Sequence, residues 1–64
     1  MESGERVLKL KEVIAIVGIS RSSIYALVQR GDFPAPIKLS LRSCGWLKSE
    51  IDRWIQVKAS SRVS

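Results

Sequence analysis

The chain has 64 residues, of which 45% are hydrophobic and 27% charged, with eleven Lys and Arg against six Asp and Glu and a net charge of +5. It contains no histidine and a single cysteine, Cys44. A catalytic histidine, a histidine-containing zinc site, a thiolate metal cage and an internal disulfide are therefore excluded. The composition predicts one small domain that packs without cofactor or metal and whose positive charge favours a polyanionic partner.

The two ends of the chain differ in composition from its middle. Residues 1–6 and 59–64 are rich in serine and charged side chains, so we expect flexible tails on either side of one domain at 7–58. The N-terminus lacks the basic-then-apolar order of a signal peptide, and no apolar run approaches the roughly 18 residues of a membrane span. Together with a lone cysteine, these features predict a cytoplasmic protein with no membrane partner.

Apolar spacing predicts a first short helix, after a brief β-type run at 7–10. Four apolar residues occur at i, i+3, i+4 and i+7, namely Leu10, Val13, Ile14 and Val17. This pattern is typical of one buried helical face. Gly18 would end the helix, because glycine accepts the positive φ of a helix C-terminus. A helix this short needs a packing partner.

A second helix is predicted at 21–30, with Ser20 as its N-cap and Gly31 beyond its end. Its buried stripe would contain Ile24, Leu27 and Val28. The opposite side, at 100° per residue, carries small or polar side chains, with Ser23 and Tyr25 flanking them. These opposite-side residues are Ser22, Ala26 and Gln29.

The second half predicts a β-hairpin followed by a third helix. Two prolines exclude helix from 33–36, and two short alternating runs at 37–39 and 44–46 follow. The predicted inner face of the hairpin consists of Ile37, Leu39, Cys44 and Trp46, with Lys38 pointing outward and Arg42 at the tip. An amphipathic helix of about ten residues should follow. Its apolar stripe would contain Leu47, Ile51, Trp54 and Ile55.

Two short helices joined by three residues form a helix-turn-helix, and the hairpin would be its wing, giving a mainly α fold with three short helices. In such a fold the second helix enters the major groove of double-stranded DNA. Gln29 can pair with adenine, Ala26 can contact a thymine methyl group, and Arg21 beside the helix start suits a phosphate. The full set of predicted DNA-binding residues is Ser20, Arg21, Ser22, Ser23, Tyr25, Ala26, Gln29, Arg30, Lys38, Arg42 and Ser43. The basic residues that we assign to solvent are Lys9, Lys48, Arg53, Lys58 and Arg62.

The segments GISRSSIY at 18–25, GDFPAPIKL at 31–39 and GW at 45–46, in this order and spacing, resemble the AlpA family. The resemblance covers about residues 7–58. It implies a winged helix-turn-helix related to excisionases and MerR-like domains, and a role as a transcriptional regulator of a phage or prophage. The chain departs from the family pattern at Ile16 and Leu41, which are apolar where polar residues are more usual. They are either scattered surface hydrophobic residues or contacts with a second subunit.

Two alternatives to transcriptional regulation stay open. One is an excisionase-type architectural factor that bends attachment-site DNA within the same fold. The other is a protein-interaction module without DNA function. An enzyme is not expected, because the six carboxylates do not compose an acid–base pair. A homodimer or cooperative tandem binding is expected on energetic grounds, since one module contacts only a few base pairs.

Overall fold

The computed structural model describes residues 6–61, and three helices and a small antiparallel sheet make up the fold. The elements are β1 (Val7–Leu8), α1 (Leu10–Val17), α2 (Arg21–Gln29), β2 (Ile37–Ser40), β3 (Ser43–Leu47) and α3 (Lys48–Ser60). Their order confirms the predicted winged helix-turn-helix, in which β2 and β3 form the wing.

Helix α1 ends where glycine permits a left-handed turn. Gly18 has φ 71°, and its N–H donates to the carbonyl of Ile14 at 2.8 Å. Across this turn α1 and α2 meet at a 95° bend, within the range found for helix-turn-helix pairs. Among the described residues no single helix is long and apolar enough to cross a membrane, although these two bent helices would pass that test together by length and composition.

The core draws a residue from nearly every element. Its buried members are Leu8, Val13, Ile24, Phe33, Trp46 and Ile51. Phe33 lies between the two tryptophans, with ring centroids 6.3 Å from Trp46 and 4.8 Å from Trp54. Each indole N–H donates to a backbone carbonyl of the same loop, Trp46 to Pro34 and Trp54 to Asp32, both at 2.7 Å. The tryptophans therefore fix the loop between α2 and the wing. The predicted core role is confirmed for Trp46, which is fully buried, whereas Trp54 is half-buried and packs against the core.

The register of the wing corrects the predicted inner face. A two-residue turn closed by the Ser40–Ser43 pair would place Leu39 opposite Cys44, as predicted. Instead the register shifts between Lys38 and Ser40, so that Lys38 pairs with Cys44. Paired residues share a face of the sheet, and one extra residue in a strand reverses the faces beyond it.

The register shift changes which face each residue of β2 lies on, and all four residues of this strand are exposed. Ile37 pairs with Gly45 and lies on the face opposite Trp46, with 38% of its surface exposed. Lys38 shares the face of Cys44 rather than pointing away from it. Only β3 contributes buried residues to the wing.

The central strand β3 needs glycine where β1 crosses it. A Cβ at Gly45 would lie 2.6 Å from Cγ1 of Val7 and 2.7 Å from the carbonyl oxygen of Leu8. Both distances are shorter than carbon atoms tolerate. Gly45 therefore allows β1 to pair with β3 in the register Val7–Leu47 and Leu8–Trp46.

Helix α3 is longer than predicted and extends past the expected domain boundary at residue 58. It runs from Lys48 to Ser60, and Leu47 precedes it as the N-cap rather than forming its first buried residue. At the other end Arg6, predicted to belong to a tail, pairs its side chain with Glu12 at 3.0 Å and accepts a backbone hydrogen bond from Lys48. The remaining residues of the predicted tails, 1–5 and 62–64, lie outside the described residues.

Candidate nucleic-acid interface

Helix α2 divides sharply into a buried and an exposed side. Ile24 is fully buried, with Leu27 and Val28 packed beside it. The predicted base-contacting residues Ser22, Ala26 and Gln29 are all exposed. They lie together on the outer side of the helix because they repeat at i, i+4 and i+7. Two small side chains and one amide leave this surface accessible for close approach.

The start of α2 is held by a serine pair. The Ser20 hydroxyl accepts from the backbone N–H of Ser23 at 3.2 Å, confirming the predicted N-cap, and it donates to the Ser23 hydroxyl at 3.0 Å. The N–H groups of Arg21 and Ser22 also belong to the first turn, where helix geometry provides no carbonyl partner within the helix. Together with the exposed guanidinium of Arg21, this end of the helix suits an anion.

Two of the predicted contacts have partners within the protein. Tyr25 is half-buried, and its ring centroid lies 6.5 Å from that of Trp46. Its ring thus joins α2 to β3. Arg30 lies 3.4 Å from Asp32, in a solvent-exposed pair. Such a pair is worth at most about 1 kcal/mol, so it orients Arg30 without neutralising it strongly.

The wing supplies a second basic region. Lys38 and Arg42 are exposed, and Ser43 is half-buried at the base of the turn. Among the ion pairs of residues 6–61, which join Arg6, Arg30 and Lys48 to carboxylates, none involves Arg21, Lys38 or Arg42. The helix start and the wing therefore present cations whose charge is not compensated by a neighbouring carboxylate.

Lys9, which we assigned to solvent, is exposed, and it makes two hydrogen bonds that the sequence does not predict. Its Nζ donates to the Ser43 hydroxyl at 2.7 Å, and its backbone N–H donates to Glu12 at 2.9 Å. Lys9 thus adds positive charge beside the turn of the wing. No local pattern could have revealed this, because 34 positions separate Lys9 from Ser43 and only the pairing of β1 with β3 brings them together.

Within residues 6–61 no group of three Cys, Asp or Glu side chains is arranged to hold a metal ion, and Cys44 is a half-buried free thiol. The arrangement consists of an exposed helix face, an anion-compatible helix start and a basic wing. These features suit a polyanion with readable groove edges.

Comparison with known proteins gives a family match over most of the chain. A family model described as prophage CP4-57 regulatory protein (AlpA) matches residues 6–59. An uncharacterised protein, ORF88, of Enterobacteria phage P4 is 38% identical over 58 residues, covering 91% of this chain and 66% of that protein. The DNA-binding transcriptional activator AlpA of Escherichia coli K12 is 37% identical over 59 residues, covering 83% of this chain and 84% of that protein.

Proposed function

The chain belongs to the AlpA family of prophage regulatory proteins, and from that premise we propose that it is a sequence-specific DNA-binding transcriptional regulator of a phage or other mobile element. The observation that carries the proposal is the exposed outer side of α2, where small and amide side chains lie directly opposite the buried Ile24. That side enters the major groove. The packing of α2 against α1 and the sheet sets the direction of the helix axis.

Base contacts come from the middle and end of the helix. The Gln29 amide makes paired hydrogen bonds to an adenine edge, and the Ala26 methyl group touches a thymine methyl. Ser22 approaches the base edges from the first turn. A good bidentate contact is worth about 1–3 kcal/mol of discrimination against the wrong base, so Gln29 carries most of the sequence preference.

Contacts with the DNA backbone come from helix α2 and from the wing. Arg21, the first-turn N–H groups and the hydroxyls of Ser20 and Ser23 hold a phosphate at the helix start. Tyr25, within α2, and Arg30, at its C-cap, reach neighbouring phosphates. On the wing, Lys38, Arg42 and Ser43 lie along the sugar-phosphate backbone or in the adjacent minor groove. These contacts set the register of the protein on the duplex but carry little sequence information.

The test separates the two kinds of contact. A bound sequence is first selected from a random DNA pool, and the dissociation constant is then measured against salt concentration. Arg21→Ala and Arg42→Ala should each flatten the log–log slope by about 0.9, the value for one lost phosphate contact. Gln29→Ala should keep the slope and relax base preference at one position.

Arg53→Ala is the matched control, because Arg53 is an exposed cation on α3. It should leave both slope and preference unchanged. If all four variants behave alike, the assignment of roles is wrong. If the unmodified protein is retained by neither duplex DNA nor heparin at low salt, the proposal fails and a protein-interaction module is favoured.

Assembly on DNA follows from the size of the interface. A single module reads few base pairs, so we propose that two copies bind together, as a dimer or in tandem. Sedimentation with the selected DNA should give one protein per duplex on a half-site and two on a full site. Sedimentation without DNA shows whether the two copies already form a dimer.

A further inference from the structure

The tip of the wing carries an apolar side chain that the fold does not use. Leu41 occupies the turn between β2 and β3 and is 92% exposed, the highest value among the large hydrophobic residues that the structure describes. The next highest, Val57 on α3, is 57% exposed. Removing a leucine side chain from water is favourable, so a partner that covers the tip gains affinity from burying Leu41.

Charge decides which partner fits. The sequence contains no carboxylate between Asp32 and Glu50, so the whole hairpin is basic or neutral. Arg42 adjoins Leu41 in the turn, and the Nζ of Lys9 lies beside the turn, 2.7 Å from the hydroxyl of Ser43, the residue that follows Arg42. A second copy seated tip to tip would bring two Arg42 side chains together, which like charges oppose. A polyanion is favoured at the same place.

The tip is also narrow and firmly held. The pair Ser40–Ser43 closes a two-residue turn, so a single apolar side chain projects. The register shift between Lys38 and Ser40 increases the local twist of the strands. Behind the tip, β3 is anchored by Trp46, which is fully buried. In such a hairpin Leu41 projects beyond the paired strands, where a groove can receive it.

We propose that Leu41 is a wedge that inserts from the minor groove at a base step, while Arg42 holds the adjoining backbone. This inference rests on the proposed DNA binding and deepens it. Apolar wedges of this kind partly unstack a step and kink the duplex toward the major groove by 20–90°. Pyrimidine–purine steps unstack most easily, so the wing favours TA or CA at the inserted position without a hydrogen bond to any base.

The experiment uses the full chain and the selected duplex, with the fluorescent base 2-aminopurine placed in turn at each step beneath the wing. Binding should raise 2-aminopurine fluorescence at one step, because the base loses its stacking. End-to-end energy transfer on the same duplex should report a bend of some tens of degrees. Leu41→Ala should abolish most of both signals, and Leu41→Met should retain them.

Affinity measurements distinguish the role of Leu41 from that of the basic side chains. Leu41→Ala should weaken binding by on the order of tenfold or less, because the lost burial is offset by the unstacking that no longer occurs. Its salt slope should match that of the unmodified protein, unlike that of Arg42→Ala. Leu39→Ala is the matched control: it removes the same side chain, 44% exposed, from the same hairpin, and should keep both fluorescence and bend.

The possible failures are distinguishable. Tight binding with neither unstacking nor bending would overturn the wedge and leave the proposed function intact. Loss of self-association by Leu41→Ala in the absence of DNA, measured by sedimentation, would also overturn it and assign the tip to a second copy. No binding of the unmodified protein to any duplex at low salt would remove the proposed function and the wedge together.

Discussion

Helix α2 and the wing present opposite solutions for placing side chains on a ligand. The helix buries Ile24 completely and packs Leu27 and Val28 against the core, so the packing of one side fixes where its exposed side points. The wing buries residues from β3 only, while all four residues of β2 are exposed. One surface is positioned by packing and the other by strand register. The helix suits the reading of base edges, which requires fixed geometry, and the wing suits the backbone and the shape of the duplex.

The two regions meet at Trp46. Its indole N–H donates to Pro34 in the intervening loop, and its ring lies near Tyr25 of α2 and Phe33. The wing is thereby held at a defined place relative to the helix. Breaking this junction should affect both regions at once, whereas changes within either region should be selective.

The largest effect is expected for Trp46→Ala. Truncating a buried tryptophan costs about 3–5 kcal/mol, and a domain of this size has a margin of similar magnitude. Far-UV circular dichroism at 25 °C should therefore show a largely unfolded chain. Trp46→Phe, which keeps a ring but loses the hydrogen bond to Pro34, should remain folded with a lower melting temperature. If Trp46→Ala instead unfolded cooperatively at the melting temperature of the unmodified protein, the helix and the wing would be stabilised independently.

The same contrast explains how much the sequence predicted. Helix faces, the Ser20 cap and the Gly18 terminus followed from local rules, since each depends on residues within four positions. The inner face of the wing did not, because one extra residue in β2 reversed the side on which Ile37 lies. Alternation shows that a strand exists but not where its register shifts. The hydrogen bond of Lys9 was not predicted for a related reason, because its partner Ser43 is distant in sequence.

Gly45→Ala should destabilise the protein by a change confined to the wing. The added Cβ would meet both the Val7 side chain and the Leu8 carbonyl oxygen, and overpacking of this kind costs about 1–3 kcal/mol. Urea denaturation should show a lower midpoint with an unchanged slope. Adding Val7→Ala should recover only part of the loss, because the backbone oxygen of Leu8 remains. Full recovery would mean that the side chain alone limits the approach of β1 to β3.

Ser20→Ala should cause a smaller loss of stability, by a change confined to helix α2. Losing the cap on the Ser23 N–H should cost about 1 kcal/mol, and Ser20→Gly only a few tenths. For a domain of this size, 1 kcal/mol lowers the melting temperature by roughly 4–8 °C. Ser22→Ala is the matched control, because it removes an exposed hydroxyl from the same turn and should change stability by less than about 0.5 kcal/mol. Equal losses for Ser20→Ala and Ser22→Ala would show that the first turn of α2 is held by its packing and not by its cap, as the wing is held by Trp46.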